Sequence, residues 1–394
     1  MAQGKKRQLA TIQVITKLVD LLISPKTTLP WVLHALSGPV WIASMLVPIR
    51  EAGALLPQWY LKTQVLGQDN RRDTYWRIGL FVQALSVLSL IPCFYLLSGI
   101  NLAIGIMGLI ALLSFARALT SLCAKDIQGH IVAQGERGKF SGMLSSLAGV
   151  ASIVSAVILI LPGAMENTFL AYLIFFFAGT LLLIACALAR TIRVELDAPD
   201  DNQASISMMA LLKEQKSLRR LIVQRALLLQ SALMAPYFTL YALDNTEVAI
   251  GWLVLVSAIA TTLSSYIWGR FADEDNLLVS RLAAALCIAS GVCMLIMPFQ
   301  LWLQLGLFLL LQIAHSGIRV HRKTYILDIT NEQNRTAYVA TANTMTGIAL
   351  LLFGGIYTLL YPVFGTELVW VMLALLSVAI ILSRRLPQPK TSHA

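Results

Sequence analysis

Two ionisable residues occupy matching places in the two halves of the chain. Arg117 and His315 lie half the chain length apart in a sequence of 394 residues, each within a run of apolar residues. A guanidinium in such surroundings can bind a carboxylate or phosphate through two parallel hydrogen bonds. An imidazole titrates near neutral pH and can couple a process to protons. The structural alternatives are that Arg117 braces the packing of helices and that His315 only bonds a neighbouring helix.

Further polar residues in or beside the apolar runs are candidates for contact with a solute. Arg319 follows His315 by one helical turn, so a helix would present both on one face; its basic neighbours also favour an anchor at the membrane surface. The other candidates of this kind are His34, Tyr237 and Gln312. Arg50 and Glu51 are adjacent opposite charges that form either an outer gate or a salt bridge of little energetic value. No Asp or Glu is predicted in the middle of a span.

An internal repeat relates the two halves. Residues 116–149 are echoed without a gap by residues 314–347, so that Lys125 aligns with Lys323 and Arg137 with Arg335. A displacement of half the chain predicts two structurally related halves. Internal similarity in an apolar chain is typical of transporter folds, in which solute sites lie between the repeats.

The composition predicts a membrane protein. The chain is 57% apolar and only 13% charged, with a mean hydropathy of +0.73, whereas soluble proteins carry about a quarter charged residues. A membrane span needs roughly 20 apolar residues. Twelve runs approach this length: 27–48, 50–67, 77–98, 101–123, 140–161, 168–189, 219–241, 249–267, 280–298, 300–320, 336–360 and 367–383. We therefore predict an all-α integral membrane protein with 12 transmembrane helices in two pseudo-symmetric six-helix bundles.

The basic residues follow the positive-inside rule. With both termini in the cytoplasm, most of the 30 Lys and Arg fall in loops on the inner side of the membrane. The net charge of +10 therefore does not require nucleic acid as a partner. The pattern predicts a multi-pass protein of the inner or plasma membrane.

The domain boundaries follow from the polar stretches. Residues 1–26 are predicted to be a cytoplasmic segment with an interfacial helix, because Lys17 and Asp20 argue against a span. The predicted six-helix bundles are 27–190 and 218–385, joined by a cytoplasmic linker, 191–217, and followed by a tail, 386–394. The five cysteines show no metal-binding spacing and are interpreted as free thiols.

Two loop sequences carry a family resemblance. Gly269-Arg-Phe-Ala-Asp273 follows the eighth predicted span, and Gly67 with Arg71 and Arg72 follows the second. Together with Arg117 in the fourth span, they resemble the loop signature and span-4 arginine of the major facilitator superfamily. The trailing Gly-Arg-Arg of that signature is missing here, and the fifth span lacks the Gly-Pro-x-x-Gly-Gly signature of drug/proton antiporters.

The resemblance implies a mechanism and roles for these residues. It implies alternating access, with the first, fourth, seventh and tenth spans lining the cavity. Asp273 would hold the cytoplasmic gate by bonding a basic residue or a helix N-terminus in the opposite half. Arg137 and Arg335 begin the fifth and eleventh spans at matched positions and mark the candidate partners.

These observations predict a secondary transporter of a small organic solute. The basic candidate groups favour an anion or a zwitterion. The alternatives are an exporter of amphiphilic compounds by proton antiport and a receptor or scaffold that does not transport. No enzyme motif is present, and neither a cofactor nor a metal is predicted. The expected partners are the solute and the lipid bilayer, with protons as a candidate coupling ion, no nucleic acid, and a monomeric state. The solute, the direction of transport and the coupling ion stay open.

Overall fold

The protein is built from helices. The computed structural model describes residues 2–36, 38–61, 72–131, 147, 149–150, 153, 168–192, 208–245, 250–329 and 332–387, and no strand occurs within them. The predicted all-α fold class is confirmed. Contacts divide the chain into two compact units, Met1–Asn202 with Ala249–Leu255, and Gln203–Val248 with Val256–Ala394.

The first unit contains eight α-helices within the described residues. They are α1 (Ala2–Leu22), α2 (Thr28–Ala35), α3 (Ala43–Leu55), α4 (Pro57–Tyr60), α5 (Arg72–Leu88), α6 (Leu90–Leu96), α7 (Gly99–Ile131) and α8 (Thr168–Ala189). A short 3-10 helix, Val40–Ile42, precedes α3.

The remaining helices belong wholly or mainly to the second unit. They are α9 (Met208–Glu214), α10 (Lys216–Leu228), α11 (Gln230–Leu233), α12 (Ala235–Asn245), α13 (Ile250–Glu274), α14 (Asn276–Ile296), α15 (Leu301–Asp328), α16 (Glu332–Phe364) and α17 (Leu368–Ser383). A 3-10 turn, Gly365–Glu367, separates α16 from α17.

Seven helical segments of the described chain are long and apolar enough to cross a bilayer. They are Arg72–Leu96, Gly99–Ala124, Phe169–Ala189, Lys216–Leu243, Asn276–Ile296, Leu301–Ile326 and Tyr338–Ser383. The last of these contains two predicted spans, and the predicted span 140–161 lies almost entirely outside the described residues. The protein is a multi-pass membrane protein, and the count of twelve spans stays a prediction.

Local sequence sets where several helices begin. Asp275 caps α14, since its Oδ1 accepts a hydrogen bond of 2.9 Å from the backbone N–H of Leu278. Gly99 and Gly365 adopt φ values of +56° and +51°, a region that side chains with a Cβ avoid. They allow the chain to reverse sharply before α7 and α17.

Close helix packing in the first unit depends on Gly79. A Cβ at this position of α5 would lie 2.6 Å from Thr120 Cγ2 and 3.1 Å from the carbonyl oxygen of Ala116, both on α7. One turn further along α5, Gln83 Nε2 donates a hydrogen bond of 2.9 Å to Thr120 Oγ1. Small residues allow such close approach between membrane helices. This contact fixes the segment of α7 that carries Arg117.

The N-terminal helix differs from the predicted interfacial helix. Helix α1 packs against α8 and α7 of the same unit, and Leu9, Ile12 and Val19 are buried there. The apolar face of α1 was predicted to lie against lipid. Protein covers it instead, and α1 is part of the helical bundle. Up to Leu61, the first two predicted spans, 27–48 and 50–67, contain the short helices α2 to α4. Residues 62–67 of the second span lie outside the described residues.

The same packing scheme occurs in both units. Within the first unit, α1 packs on the last helix, α8, and α5 packs on α7 and α8; within the second, α10 and α11 pack on α17, and α14 packs on α15 and α17. Helix α1 therefore corresponds to α10 and α11. A shared spacing supports this match. Pro25 follows Asp20 of α1 by five residues, and Pro236 follows Ser231 of α11 by five residues.

Several residues of the predicted gate cannot be placed. Gly67, Arg71 and Arg137 lie outside the described residues. Gly269 and Asp273 lie near the end of α13 and Arg335 in the first turn of α16, but their side chains are not among those described. Arg72, the first residue of α5, is buried. The predicted gate stays a prediction.

Candidate functional site

A charged cluster inside the first unit joins three helices. Asp20 of α1 lies between Arg50 of α3 and Arg117 of α7. The Nη2 atom of Arg50 donates to Asp20 Oδ1 at 2.7 Å, and the Nη2 atom of Arg117 donates to Asp20 Oδ2. Each carboxylate oxygen thus faces one guanidinium, so that a single side chain ties α1 to both neighbours. We call these three residues the Asp20 cluster.

The Asp20 cluster carries an excess of positive charge. Two guanidinium groups and one carboxylate leave one unit of positive charge, and Lys17 lies one turn before Asp20 on the same face of α1. Exposure differs among the members: 12% of the Arg50 side chain is accessible, against 26% for Arg117 and 30% for Asp20. The buried Nη1 atom of Arg50 has no hydrogen-bond partner within the described structure. The cluster can therefore accept a further anionic oxygen.

Arg50 and Glu51 do not form the pair that the sequence suggested. Glu51 Oε1 lies 3.9 Å from Lys26 Nζ, whereas Arg50 turns to Asp20. Adjacent helical residues project in directions about 100° apart, so they face different neighbours. A second ion pair therefore joins α3 to the chain that follows α1.

His315 takes the equivalent position in the second unit, with a neutral partner. Its Nδ1 atom lies 3.0 Å from Ser231 Oγ, and its side chain is buried. Arg117 with Asp20 and His315 with Ser231 are thus the same helix contact, with a carboxylate on the first helix of one unit and a hydroxyl in the other. The sequence repeat predicted that Arg117 and His315 are equivalent, but it did not predict that they contact Asp20 and Ser231.

The other candidate solute contacts are dispersed. Gln312 Nε2 donates to Ser257 Oγ at 3.0 Å, and Tyr237 is buried against the ring of Tyr361, with centroids 5.7 Å apart. Arg319 is exposed and bonds Ser316 of its own helix. His34 is exposed on α2. Of the predicted residues, the structure brings Arg117 and Arg50 together in one cluster.

A buried polar network joins α10, α14 and α15. Gln224 Nε2 donates to Ser280 Oγ at 3.0 Å, and His321 places Nδ1 2.9 Å from Asn276 Oδ1 and Nε2 3.3 Å from Gln224 Oε1. Each side chain in this network is buried. Since hydrogen bonds inside a membrane protein hold helices together, we interpret the network as structural.

A hydrogen bond between Tyr357 and Gln230 offers a stability test of the second unit. Tyr357 Oη donates to Gln230 Oε1 at 2.7 Å, and both side chains are buried. Because the lost bond leaves the buried amide oxygen of Gln230 without its donor, Tyr357→Phe is expected to lower the free energy of unfolding by about 1 to 3 kcal/mol. The melting temperature in detergent measures this loss. Tyr95→Phe is the control, since Tyr95 is 80% exposed; an equal shift in both variants would contradict the prediction.

The family match covers the second half of the chain. Residues 221–394 match the model of the Major Facilitator Superfamily. No curated protein sequence matches the chain.

Solved structures of transporters share the fold over almost the whole chain. A mutant of the nucleoside transporter NupG superposes with a TM-score of 0.78 at 14% identity, covering 97% of this chain and 99% of that one. A bacterial homologue of the iron transporter ferroportin, in its inward-facing state, gives 0.68 at 16% identity, with coverage of 96% and 98%. A bacterial metal transporter gives 0.66 at 18% identity, with coverage of 96% and 97%. At these identities the likeness concerns the fold.

These matches concern the second half of the chain for the family and almost the whole chain for the fold. The protein is a helical membrane protein with the fold of solved transporter structures. The resemblance to the major facilitator superfamily that the loop sequences indicated is confirmed for residues 221–394, which include Gly269 and Asp273.

Proposed function

We propose that the protein is a secondary transporter of a small organic anion, or of a zwitterion with a carboxylate, and that it works by alternating access. The observation that carries the proposal is the Asp20 cluster. Charges at the depth of a membrane are costly and occur mainly where they have a function. A partly accessible site with two guanidinium groups and one carboxylate favours a ligand that supplies a further negative charge.

The geometry also supports a carboxylate or phosphate as the binding group. Arginine presents planar, paired donors that match two oxygens of such a group. Arg50 and Arg117 already hold the two oxygens of one carboxylate, that of Asp20. A solute carboxylate or phosphate can make the same contacts.

The proteins that share the fold include transporters of nucleosides and of metals. The charge of the Asp20 cluster disfavours a metal cation and offers a neutral nucleoside no advantage. A metal cation would meet the excess positive charge of Arg50, Arg117 and Lys17, which disfavours it by simple Coulomb repulsion. A nucleoside is neutral and gains nothing from that charge. The matching nucleoside monophosphate adds the anionic group that the cluster favours.

A thermal-shift screen of the purified protein tests the proposal. Carboxylates, organic phosphates, nucleosides with their monophosphates, divalent metals and lipophilic cations are added separately to the protein in detergent. A ligand at a hundred times its dissociation constant raises the free energy of unfolding by about 2.7 kcal/mol. We expect at least one class of anion to raise the melting temperature of the wild type and not that of Arg117→Gln.

Arg77→Gln is the matched control for the screen. Arg77 pairs with Asp73 on the same helix at 2.9 Å and takes no part in the Asp20 cluster. This variant should respond to the anion as the wild type does. Stabilisation by lipophilic cations alone, unchanged in Arg117→Gln, would replace the proposal with export of amphiphilic compounds.

A further inference from the structure

The carboxylate of Asp20 binds both arginines of the cluster. Its Oδ1 atom accepts from Arg50 and its Oδ2 atom from Arg117, so both oxygens are engaged by the donors to which the proposed function assigns the solute. A solute anion bound there would compete with Asp20 for these hydrogen bonds.

We propose that Asp20 is an internal substitute for the solute anion, which neutralises Arg50 and Arg117 when the site is empty and is displaced when an anion binds. This inference rests on the proposed function and names the residue that controls the site. Burial of two arginines away from water without a counter-ion is strongly unfavourable. With Asp20 in place, the empty protein can close and return without that cost.

The charged and titratable groups around Asp20 support this role. Helix α1 itself contributes Lys17, α3 contributes Arg50 and Glu51, and α7 contributes Arg117. Glu51 faces Lys26 rather than the two arginines. On α8, Cys186 donates to the backbone of Arg77, and Tyr172 is the other titratable group. Asp20 is therefore the carboxylate that the described structure places on the two arginines.

The second unit shows what the position looks like without a charge. Ser231 stands at the equivalent place and meets His315, a partner without a fixed charge. The carboxylate at Asp20 accompanies the two arginines of the first unit, as expected for a counter-ion. This comparison also supplies a substitution, Asp20→Ser, that copies the residue of the second unit.

Competition and permanent bracing predict opposite effects when the charge of Asp20 is removed. If Asp20 competes with the anion, Asp20→Asn frees both arginines and tightens anion binding. Loss of one charge-assisted competitor, worth about 1.5 to 3 kcal/mol, corresponds to a tenfold or larger drop in the half-saturating concentration. If Asp20 only braces the helices, its removal loosens the site and leaves that concentration unchanged or higher.

The experiment titrates the full-length protein with inorganic phosphate and, separately, with formate, and follows the melting temperature. The variants are the wild type, Asp20→Asn, Asp20→Ser and the control Asp73→Asn, which removes the carboxylate of the Asp73–Arg77 pair on α5. We expect at least one probe to half-saturate both Asp20 variants at a concentration tenfold or more below that of the wild type. Asp73→Asn should match the wild type.

Each outcome decides between the inferences. Unchanged or weaker anion binding in whichever Asp20 variant folds, with a responsive wild type, would overturn the role of Asp20 and leave anion transport standing. A wild type that responds to neither these probes nor any anion of the screen would overturn the proposed function, and the role of Asp20 with it.

Discussion

Replacement of Arg117 by glutamine is expected to reduce the uptake of the transported anion by roughly a hundredfold or more. The two charge-assisted hydrogen bonds that a guanidinium gives to a carboxylate or phosphate are worth about 1.5 to 3 kcal/mol each, and their loss accounts for this factor. The substitution also removes one positive charge, so that Arg50 and Asp20 neutralise each other and the cluster has no excess charge. The initial rate of uptake into proteoliposomes, at equal amounts of reconstituted protein, measures the effect for the anion identified by the screen.

Arg117→Lys separates charge from geometry in the same assay. Lysine keeps the positive charge but lacks the planar pair of donors, so we expect uptake between that of the wild type and that of Arg117→Gln. Arg77→Gln should transport at the wild-type rate, because Arg77 bonds Asp73 on its own helix. Wild-type uptake in Arg117→Gln would return Arg117 to the structural role of bracing α7.

Gly79→Val is expected to lower the stability of the protein, because it disrupts the packing of α5 against α7. Its Cβ would lie 3.1 Å from the carbonyl oxygen of Ala116 and 2.6 Å from Thr120 Cγ2, and a backbone carbonyl cannot turn aside as a flexible side chain can. Helices α5 and α7 must separate. Overpacking of this kind costs about 1 to 3 kcal/mol. We expect a lower melting temperature together with weaker anion binding, because α7 carries Arg117.

Gly108→Val is the matched control on α7. No atom lies within 4 Å of a Cβ at Gly108, so a valine there meets open space. Its melting temperature should stay close to that of the wild type, since valine is no worse than glycine in a helix. If Gly108→Val were destabilised as much as Gly79→Val, the effect would not come from the contact between α5 and α7.

Much of the fold could be predicted from the sequence, because apolar runs and helical periodicity are local properties. The runs 101–123, 168–189 and 280–298 correspond closely to the helices Gly99–Ile131, Thr168–Ala189 and Asn276–Ile296. The N-terminal segment was predicted to form an interfacial helix, and the structure shows this helix packed on α7 and α8. Helix α1 carries Lys17 and Asp20, which lower its mean hydropathy. A hydropathy sum cannot show that such charges are paired with residues of other helices.

The candidate site could be predicted only in part. Arg117 and His315 stood out because the repeat aligned them, and Arg50 stood out as a charge between apolar runs. Asp20 was assigned to an interfacial helix and was therefore not named as a candidate for the site. Its contacts depend on α3 and α7, which are distant in sequence. The five-residue spacing to a following proline, shared by Asp20 and Ser231, was the signal that could have matched α1 to α11.

The sequence by itself determined that this protein is helical, lies in a membrane and has two related halves, because composition and periodicity act on each segment separately. The tertiary structure alone decided which charges meet. A carboxylate inside a membrane protein is stable when arginines approach it from other helices, and such pairing depends on how the helices pack. The Asp20 cluster is therefore a property of the packed bundle, and no single segment of the chain shows it.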